Sequence, residues 1–515
     1  MRLSRAGLLV ARRTNWRHIM SNQHLSNGAL RDNTKGSFFM AGLAALCALV
    51  VLVLQIIGGT NSSVSLSIVT ILISGFIAAW RFRRFGLDPL GVFAAGFLMY
   101  DGVLLLRLSV VSGSSVLAYP TTFTNDSYAA AGALCALAAA TVLLTMLTWE
   151  GVVGKPRTSG FATLSEASAF SWFWVGIFCY FIGLVMYYLQ FRQFGGYVAS
   201  LAIQRGDRFA LASAESALSY PYMAFVVPGI ACMCYGALTS AKQLRRFAFY
   251  ALTTLWCLLV LLQGDRRLLL QALLAVFGVI AAVRPQTLRL RARTWILIAA
   301  AYVLFVAFGY ARNFISGIAT GETSTSQAVS DLNDEMSGDW LTPEHSEFAG
   351  PYLSLLVGVS SHTEYLYGAS YYESFFTVLP RFMYGGQKPT PISEQFAQEM
   401  HTGGGTVSGW GYNPVAEAYG NFGVVGVVLI FMLWTVYFLL MKSIRSWGEW
   451  GVLLAAVLLS EAVNANRIDF RIVYWETTYF MVGIATAWIV KGIMIRMLTH
   501  PQCNYIQIQR LATDR

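Results

Sequence analysis

Long apolar segments recur along this chain and constrain its fold more than any other feature. An α-helix needs about 20 mainly apolar residues to cross a hydrocarbon layer roughly 30 Å thick. Twelve segments of about this length occur, at residues 38–58, 64–80, 88–106, 128–148, 171–190, 219–239, 247–263, 268–283, 295–310, 421–441, 449–463 and 475–490. They predict an all-α fold, a polytopic integral membrane helical bundle of about twelve transmembrane helices.

The overall composition agrees with a membrane fold. Apolar residues make up 56% of the chain and charged residues only 12%, whereas a typical soluble protein carries roughly 25% charged residues. So few charges cannot cover the surface of a soluble multidomain protein of 515 residues. The seven cysteines form no CxxC pair and have no metal-ligand spacing, so we predict neither a disulfide framework nor a metal centre.

The distribution of basic residues predicts the direction of the bundle, because Lys and Arg are retained in the cytoplasm. The predicted cytoplasmic segments are 1–37, 81–87, 149–170, 240–246, 284–294, 442–448 and 491–515. They hold 25 of the 36 Lys and Arg residues and about six of the 26 acidic residues, so the two sides carry roughly +19 and −9. We therefore predict that both termini are cytoplasmic and that the net charge of +10 does not indicate nucleic acid.

Two loops on the predicted outer side are long, and they set the domain organisation. The predicted order is a basic tail, nine helices with a first outer loop, a large outer loop, three helices and a second tail, at residues 1–37, 38–310 (loop 191–218), 311–420, 421–490 and 491–515. Loops longer than about 15 residues inside compact proteins usually have a function. The outer loop of 311–420 is therefore the predicted place of activity.

The basic residues of the outer side are ten Arg and a single Lys, Lys388. Arg266 and Arg267 lie in the tight turn between two spans, and Arg467 and Arg471 have an i,i+4 spacing that predicts one shared helical face. The planar Arg side chain binds phosphate oxygens in a bidentate manner. These residues predict a site for an anionic, lipid-linked group such as pyrophosphate. The alternative is that they pair with Asp265, Asp469 and Glu476 or with ordinary lipid headgroups.

Asp101 is the clearest ionisable residue inside a predicted span, about 20 Å along its helix. An intramembrane carboxylate indicates a functional site by default, and the alternative is a hydrogen bond or salt bridge to a neighbouring helix. Few other ionisable groups lie at this depth in the predicted topology, which argues against an ion-coupled transporter. The glycines Gly403–Gly405 lack the Lys-Ser/Thr of a phosphate-binding loop, so ATP hydrolysis has no support.

The large outer loop and the helix after it resemble a known family. The run Glu417-Ala418-Tyr419-Gly420-Asn421-Phe422-Gly423 enters a helix, and the elements before it keep a fixed order: Tyr371, Leu379-Pro380-Arg381, Lys388-Pro389, Phe396, Gly403-Gly404-Gly405 and Ser408. This order, with the Gly264-Asp265-Arg266-Arg267 turn, resembles the Wzy-type O-antigen and oligosaccharide repeat-unit polymerases of bacteria. The likeness covers nearly the whole chain after residue 37.

The resemblance implies a metal-independent membrane glycosyltransferase without cofactors in the bacterial inner membrane. It would transfer a growing glycan from undecaprenyl pyrophosphate to the next lipid-linked repeat, with membrane lipids and a chain-length regulator as further partners. Arg266 and Arg267 would contact the donor pyrophosphate, because preorganised cations stabilise a departing anion. Arg467 and Arg471 would assist them. The acceptor pyrophosphate would be held by Arg192, Arg205 and Arg208.

The same resemblance assigns roles to residues of the loop's last part. Glu417 is the first choice for the base or for orienting the acceptor, and His401 is the second. Glu417 has an alternative role, in which it caps the following helix and holds the loop. Trp410, Tyr412 and Tyr419 would stack on sugar rings, although an interfacial aromatic belt explains them equally well.

Two other functions remain open at the level of sequence. An O-antigen ligase shares the chemistry but transfers the finished glycan to lipid A-core, and the Glu417–Gly423 run favours the polymerase. A lipid-linked-glycan flippase or transporter suits twelve spans, but such proteins usually place polar groups and broken helices near the membrane midplane. A noncatalytic membrane scaffold leaves the Arg residues unexplained.

Overall fold

The architecture comes from a computed structural model, which describes residues 62–110, 123–153, 166–197, 221–263, 265–284, 349–361, 364–378, 390–400 and 411–513, with a few isolated positions between them. These residues are helical and contain no strand. They belong to one compact unit, Thr60–Arg515. The predicted amino-terminal tail and the predicted spans 38–58 and 295–310 lie outside the described residues.

Fifteen α-helices are numbered here in chain order. Their bounds are α1 Ser62–Phe85, α2 Pro89–Phe97, α3 Leu104–Val110, α4 Asn125–Val153, α5 Glu166–Arg192, α6 Met223–Thr239, α7 Gln243–Gln263, α8 Arg266–Val283, α9 Ala349–Ser360, α10 Ala369–Phe376, α11 Ile392–Met400, α12 Pro414–Ile444, α13 Glu449–Val457, α14 Glu461–Asn464 and α15 Phe470–Thr513. A π-helical turn, Leu98–Val103, joins α2 to α3.

Seven of the described helices are long and apolar enough to cross a membrane. They are Ser63–Phe85, Pro89–Arg107, Asn125–Gly151, Glu166–Arg192, Gln243–Gln263, Pro414–Trp447 and Phe470–Met497, and each contains or closely overlaps a predicted span. Two further predicted spans correspond to the shorter apolar helices Met223–Thr239 and Arg267–Val283. The described residues thus confirm a helical membrane protein, while the count of twelve spans stays a prediction.

The predicted span 449–463 is not one helix. It consists of α13, a 3-10 turn at Leu458–Ser460 and the single turn of α14. Residues 465–469 then turn into α15, so Arg467 precedes that helix and Arg471 lies within it. The shared helical face that the i,i+4 spacing predicted is therefore not formed, because the chain turns between the two residues.

Helix starts in this bundle follow from short polar residues beside proline. Asp88 precedes Pro89 and accepts a hydrogen bond from Gly91 N at 3.2 Å. Asn413 precedes Pro414 and accepts from Val415 N at 2.7 Å. These side chains satisfy backbone donors that the first turn leaves open, and proline loses nothing at the first helical position. Both caps are fully buried, so they also connect helices.

Helices α5 and α6 pack backbone against backbone at two glycines. A Cβ added to Gly176 would lie 2.5 Å from Met233 N, and one added to Gly229 would lie 2.7 Å from Tyr180 N. Only glycine permits this approach of two backbones, which is a common way of packing helices in a lipid environment.

A sharp reversal divides α12 at Phe422 and Gly423. Gly423 has φ +63° and ψ −150°, a region that only glycine adopts without strain. A Cβ on Gly426 would lie 2.2 Å from the carbonyl oxygen of Ala418, so the short first part of α12 folds back against the long second part. The end of the Glu417–Gly423 run is therefore a backbone turn.

Two ends of the bundle are defined by buried ionic groups. At the first, the Arg81 end, α1 is followed by α2, and Arg81 of α1 donates to Asp88, the cap of α2. At the same end, Lys491 of α15 donates to Glu449, the first residue of α13. At the second, the Arg267 end, α7 gives way to α8. The 22 residues from Phe470 to Lys491 correspond to about 33 Å of helix, close to the thickness of a bilayer's hydrocarbon layer.

Candidate functional site

The first polar site, the Arg267 cluster, consists of Arg267, Gln271, Glu461, Asn464 and Glu476. Asp265 starts α8 by accepting hydrogen bonds from Arg267 N at 3.0 Å and Leu268 N at 3.2 Å, which fixes the position of Arg267. The guanidinium Nη1 lies 3.1 Å from Glu476 Oε1, and the side chain of Arg267 keeps 26% exposure while that of Glu476 has none.

Neutral amides hold the other side of this glutamate. Gln271 Nε2 donates to Glu476 Oε2 at 2.6 Å, and Asn464 Nδ2 donates to the same atom at 3.0 Å. Glu461 is also fully buried and accepts from Ser460 Oγ at 3.0 Å. The broken span and α15 therefore bring two carboxyl groups to a single arginine.

The second polar site surrounds Glu417. Its Oε1 accepts from Ser370 Oγ at 2.8 Å, and its Oε2 accepts from Phe470 N, the first residue of α15, at 2.7 Å. Asn421 Nδ2 donates to Ser370 Oγ at 2.8 Å and to the carbonyl of Glu417 at 2.8 Å. The buried Glu417 lies within α12, where it caps α15 and positions Ser370, so the helix that it caps is not the following one that the alternative named. Its role as a base stays a prediction.

A small polar cavity of about 90 Å³ opens beside this glutamate, and we call it the Glu417 cavity. Its lining includes Ser370, Glu373, Gln395, Glu417 and Arg471. Burial raises the pKa of the nearby Glu394, an effect that Arg471 opposes and Asp469 reinforces. The cavity therefore combines one cationic and several carboxyl groups around hydroxyl-bearing side chains, a set that suits the binding of sugar hydroxyls and anionic oxygens.

Asp469 completes the support of this cavity. Its Oδ1 accepts from Ile472 N at 3.1 Å within the first turn of α15, and its Oδ2 accepts from Ser393 Oγ at 2.6 Å and Ser393 N at 3.2 Å. It fixes α11 to α15. Arg471 follows two residues later and reaches the cavity from the same turn.

An apolar groove of about 470 Å³ runs between the second part of α12 and α15, and we call it the aromatic groove. Its lining includes Tyr371, Phe422, Leu433, Trp434, Phe470 and Tyr474. Tyr371 stacks on Phe422 with ring centroids 6.4 Å apart. Tyr437 and Thr477 also line it and share a hydrogen bond of 2.9 Å. The groove is wide enough for a hydrocarbon chain and offers it almost no polar partner.

Asp101 lies on the π-helical turn and is fully buried. Asn413 Nδ2 donates to its Oδ1 at 2.6 Å, and Cys135 Sγ lies 3.7 Å from the same oxygen. The predicted alternative, a hydrogen bond to a neighbouring element, is therefore present. The contact joins the π-helical turn to the cap of α12.

The remaining predicted site residues are only partly described. Arg192 is exposed in the last turn of α5, and Tyr412 is buried where its backbone N–H donates to the Arg467 carbonyl at 2.8 Å. Tyr419 lies edge-on to Tyr365, with ring centroids 6.1 Å apart. The predicted residues outside the described part, or whose side chains lie outside it, are Arg205, Arg208, Arg266, His401 and Trp410.

Sequence reasoning did not select Ser370, Asp469 or Asn464 as site residues. Ser370 and Asp469 are short polar side chains next to helix starts, which usually indicates capping alone. Asn464 was read only as the residue before a pair of arginines. A stronger signal was available at Glu461 and Glu476, since two carboxylates inside apolar segments are unusual.

No family model, curated protein or solved structure matches this chain. The resemblance to the repeat-unit polymerases therefore rests on the residues of this chain alone.

Proposed function

We propose that this protein polymerises lipid-linked oligosaccharide repeat units, for an O-antigen or an exopolysaccharide, on the periplasmic face of a bacterial inner membrane. It transfers the growing glycan from undecaprenyl pyrophosphate to the next lipid-linked repeat. The observation that carries this proposal is the contact between the Glu417 cavity and the aromatic groove, which together form an amphipathic site.

Consecutive residues contribute to the two parts of this site. Ser370 lines the cavity and Tyr371 lines the groove, while Arg471 lines the cavity and Phe470 lines the groove. A ligand with a polar head and a long hydrocarbon chain fits such an arrangement, because the chain can stay in an apolar environment while the head meets hydroxyl and guanidinium groups. A lipid-linked glycan has this chemistry.

The proposed transfer breaks the bond between the anomeric carbon and the pyrophosphate oxygen and forms a bond from that carbon to an acceptor hydroxyl oxygen. The pyrophosphate leaves with the electron pair, and Arg471 and Arg267 stabilise its charge. The hydroxyl proton passes to a carboxylate. Glu417 already accepts two hydrogen bonds, so in this proposal it positions Ser370 and Arg471, and Glu373 of the same cavity is available as the proton acceptor.

The test is the size profile of surface glycan in a strain that lacks the gene and receives variants on a plasmid. The empty strain should produce lipid A-core capped with a single repeat unit and no ladder. The Arg471→Ala and Arg267→Ala variants should give the same profile at normal membrane abundance. A full ladder from both variants contradicts the proposed anion sites, and accumulation of uncapped core with long free chains identifies a ligase instead.

The groove has its own matched test. Leu433 lines the groove and is 53% exposed, whereas Leu72 of α1 does not line it and is 65% exposed. Leu433→Trp should fill the groove and shorten the ladder, while Leu72→Trp should leave it unchanged. Equal profiles for the two variants would remove the groove from the proposal.

One observation favours a second function, the flipping of a lipid-linked glycan across the membrane. The predicted span 449–463 is broken, and the buried Glu461 lies in its second half, an arrangement that transporters use near the midplane. This burial weakens the argument against transport that the sequence offered. Accumulation of single lipid-linked repeats on the inner face of the membrane in the empty strain would support this function over polymerisation.

A further inference from the structure

Among the described residues, the Arg267 cluster holds more negative charge than its neighbours neutralise. Glu461 and Glu476 have no exposed surface, and their side chains lie within hydrogen-bonding reach of each other. Gln271, Asn464 and Ser460 donate to them as neutral groups. Two carboxylates with one guanidinium leave one negative charge uncompensated in an apolar bundle, a state that burial strongly disfavours.

Two carboxyl oxygens of the cluster lack a hydrogen-bond donor in the part of the chain that the structure describes, and they mark where a positive charge is missing. Glu461 Oε2 and Glu476 Oε1 accept no hydrogen bond from the described residues, although Arg267 Nη1 lies near the second atom. An ionised carboxylate can only accept hydrogen bonds. Two carboxylates therefore cannot bond to each other unless one of them carries a hydrogen.

We infer that Glu461 and Glu476 share one proton and form an intramembrane proton-binding site beside Arg267. In this state Glu461 donates to Glu476, which remains ionised and paired with the guanidinium. The cluster is then neutral, and each carboxyl oxygen that lacked a donor takes part in one hydrogen bond. The inference stands on charge and hydrogen bonding alone and does not depend on the proposed function.

The other charged and titratable groups that the structure describes around the pair leave this sum unchanged. Asp265, the cap of α8, and Tyr222, next to α6, interact electrostatically with Arg267. Tyr437 of α12 lies near Glu461. A tyrosine is neutral at physiological pH. Asp265 adds negative charge at the rim, which increases the demand for a proton.

Infrared spectroscopy of the full-length protein in lipid nanodiscs tests the inference, because a protonated carboxyl group has its own C=O stretching band. Asp101 and Glu417 are further buried carboxyl groups without a cationic partner among the contacts described for them, so every spectrum is recorded in an Asp101→Asn, Glu417→Gln background. At neutral pH this parent protein should show a protonated-carboxyl band.

The charge count makes different predictions for four variants. Glu461→Gln and Glu476→Gln should each abolish the band, because the single remaining carboxylate is then neutralised by Arg267. Arg267→Gln should keep or strengthen it. Glu166→Gln, at the Arg81 end, should have no effect on it. A parent protein without the band, or one whose band survives both glutamate replacements, overturns the inference, and the two glutamate variants check each other if one fails to fold.

The shared proton has a consequence that rests on the proposed function. If a pyrophosphate oxygen replaces Glu476 at Arg267, the released carboxylate takes up a second proton. Addition of inorganic pyrophosphate to the wild-type protein should then take up protons from a weakly buffered solution containing a pH indicator, and Glu476→Gln should show no uptake. If no protons are taken up while the infrared bands behave as expected, Arg267 is not a pyrophosphate site, and the inference of a shared proton still holds.

Discussion

Two buried ionic clusters among the described residues contain similar side chains, but only one of them pairs every carboxylate oxygen with a guanidinium group. In the Arg81 cluster, formed by Arg81, Arg84, Asp88 and Glu150, every carboxylate oxygen has a guanidinium partner. Arg81 donates to both Asp88 oxygens at 2.7 and 2.8 Å and to Glu150 at 2.6 Å, and Arg84 donates to the second Glu150 oxygen at 2.8 Å. In the Arg267 cluster, two carboxyl groups share one guanidinium.

The difference indicates a structural role for the Arg81 cluster and is the basis of the proton proposed for the Arg267 cluster. A closed network with two cations and two carboxylates has nothing left to bind, and it connects α1, α2 and α4 at one end of the bundle. A cluster with an excess carboxyl group and a partly exposed arginine can exchange a proton or an anion at modest cost. Perturbed, incompletely paired ionisable groups mark functional sites more often than closed pairs do.

The largest loss of stability should come from removing Arg81 from the Arg81 cluster. Arg81→Ala leaves Asp88 buried without its partner and should lower the free energy of unfolding by about 3–5 kcal/mol. Thermal unfolding in detergent measures the loss, and Arg83→Ala, which removes an exposed arginine two residues away, is the control. Equal melting temperatures for the two variants would contradict the structural role of Arg81.

The same acid-to-amide replacement should have different effects in the two clusters. Asp88→Asn removes a charge that Arg81 needs and should cost about 3 kcal/mol. Glu461→Gln should change stability by less than about 1 kcal/mol, since the amide can donate to Glu476 as the protonated acid does. Denaturant unfolding of both variants, measured side by side, gives the comparison. A larger loss for Glu461→Gln would mean that Glu461 is ionised.

Acid should weaken the Arg81 cluster more gently than mutation does. Burial by itself would raise the pKa of Asp88, but the charge and hydrogen bonds of Arg81 hold that pKa below its ordinary value. A carboxyl group with a lowered folded-state pKa stabilises the fold above its unfolded-state pKa, and the contribution is lost as the pH falls through the folded value. Melting temperatures recorded across this acidic range should fall in the wild type and stay flatter in Asp88→Asn.

Much of the fold could be predicted from the sequence, because hydropathy and helix length are local properties. The seven long apolar helices coincide with predicted spans, and the Asp88-Pro89 and Asn413-Pro414 pairs begin helices as their chemistry dictates. Only the short length of the segment 449–463 and the presence of Glu461 indicated that it is not one continuous helix. The reversal at Gly423 was read as a motif entering a helix, since a glycine does not disclose its φ angle.

The candidate site was less accessible, because its contacts join distant parts of the chain. Gln271 and Glu476 are 205 residues apart, and Asp101 and Asn413 are 312 apart. The rotation of each helix about its own axis decides which side chains meet, and no local pattern records that rotation. This is why Arg267 was predicted as an anion ligand while its partner Glu476 was named only among the acidic residues that arginines could meet.

The sequence by itself determined that the described residues form a helical membrane protein and that arginine outnumbers lysine on one predicted side. These follow from the scarcity of charge and from the length of the apolar segments, whose free energy of transfer into lipid does not depend on their neighbours. Tertiary structure alone decided that Glu417 caps α15, that a polar cavity adjoins an apolar groove, and that two buried glutamates share one arginine. Such pairings arise only when packed helices bring particular side chains within a few ångströms of each other.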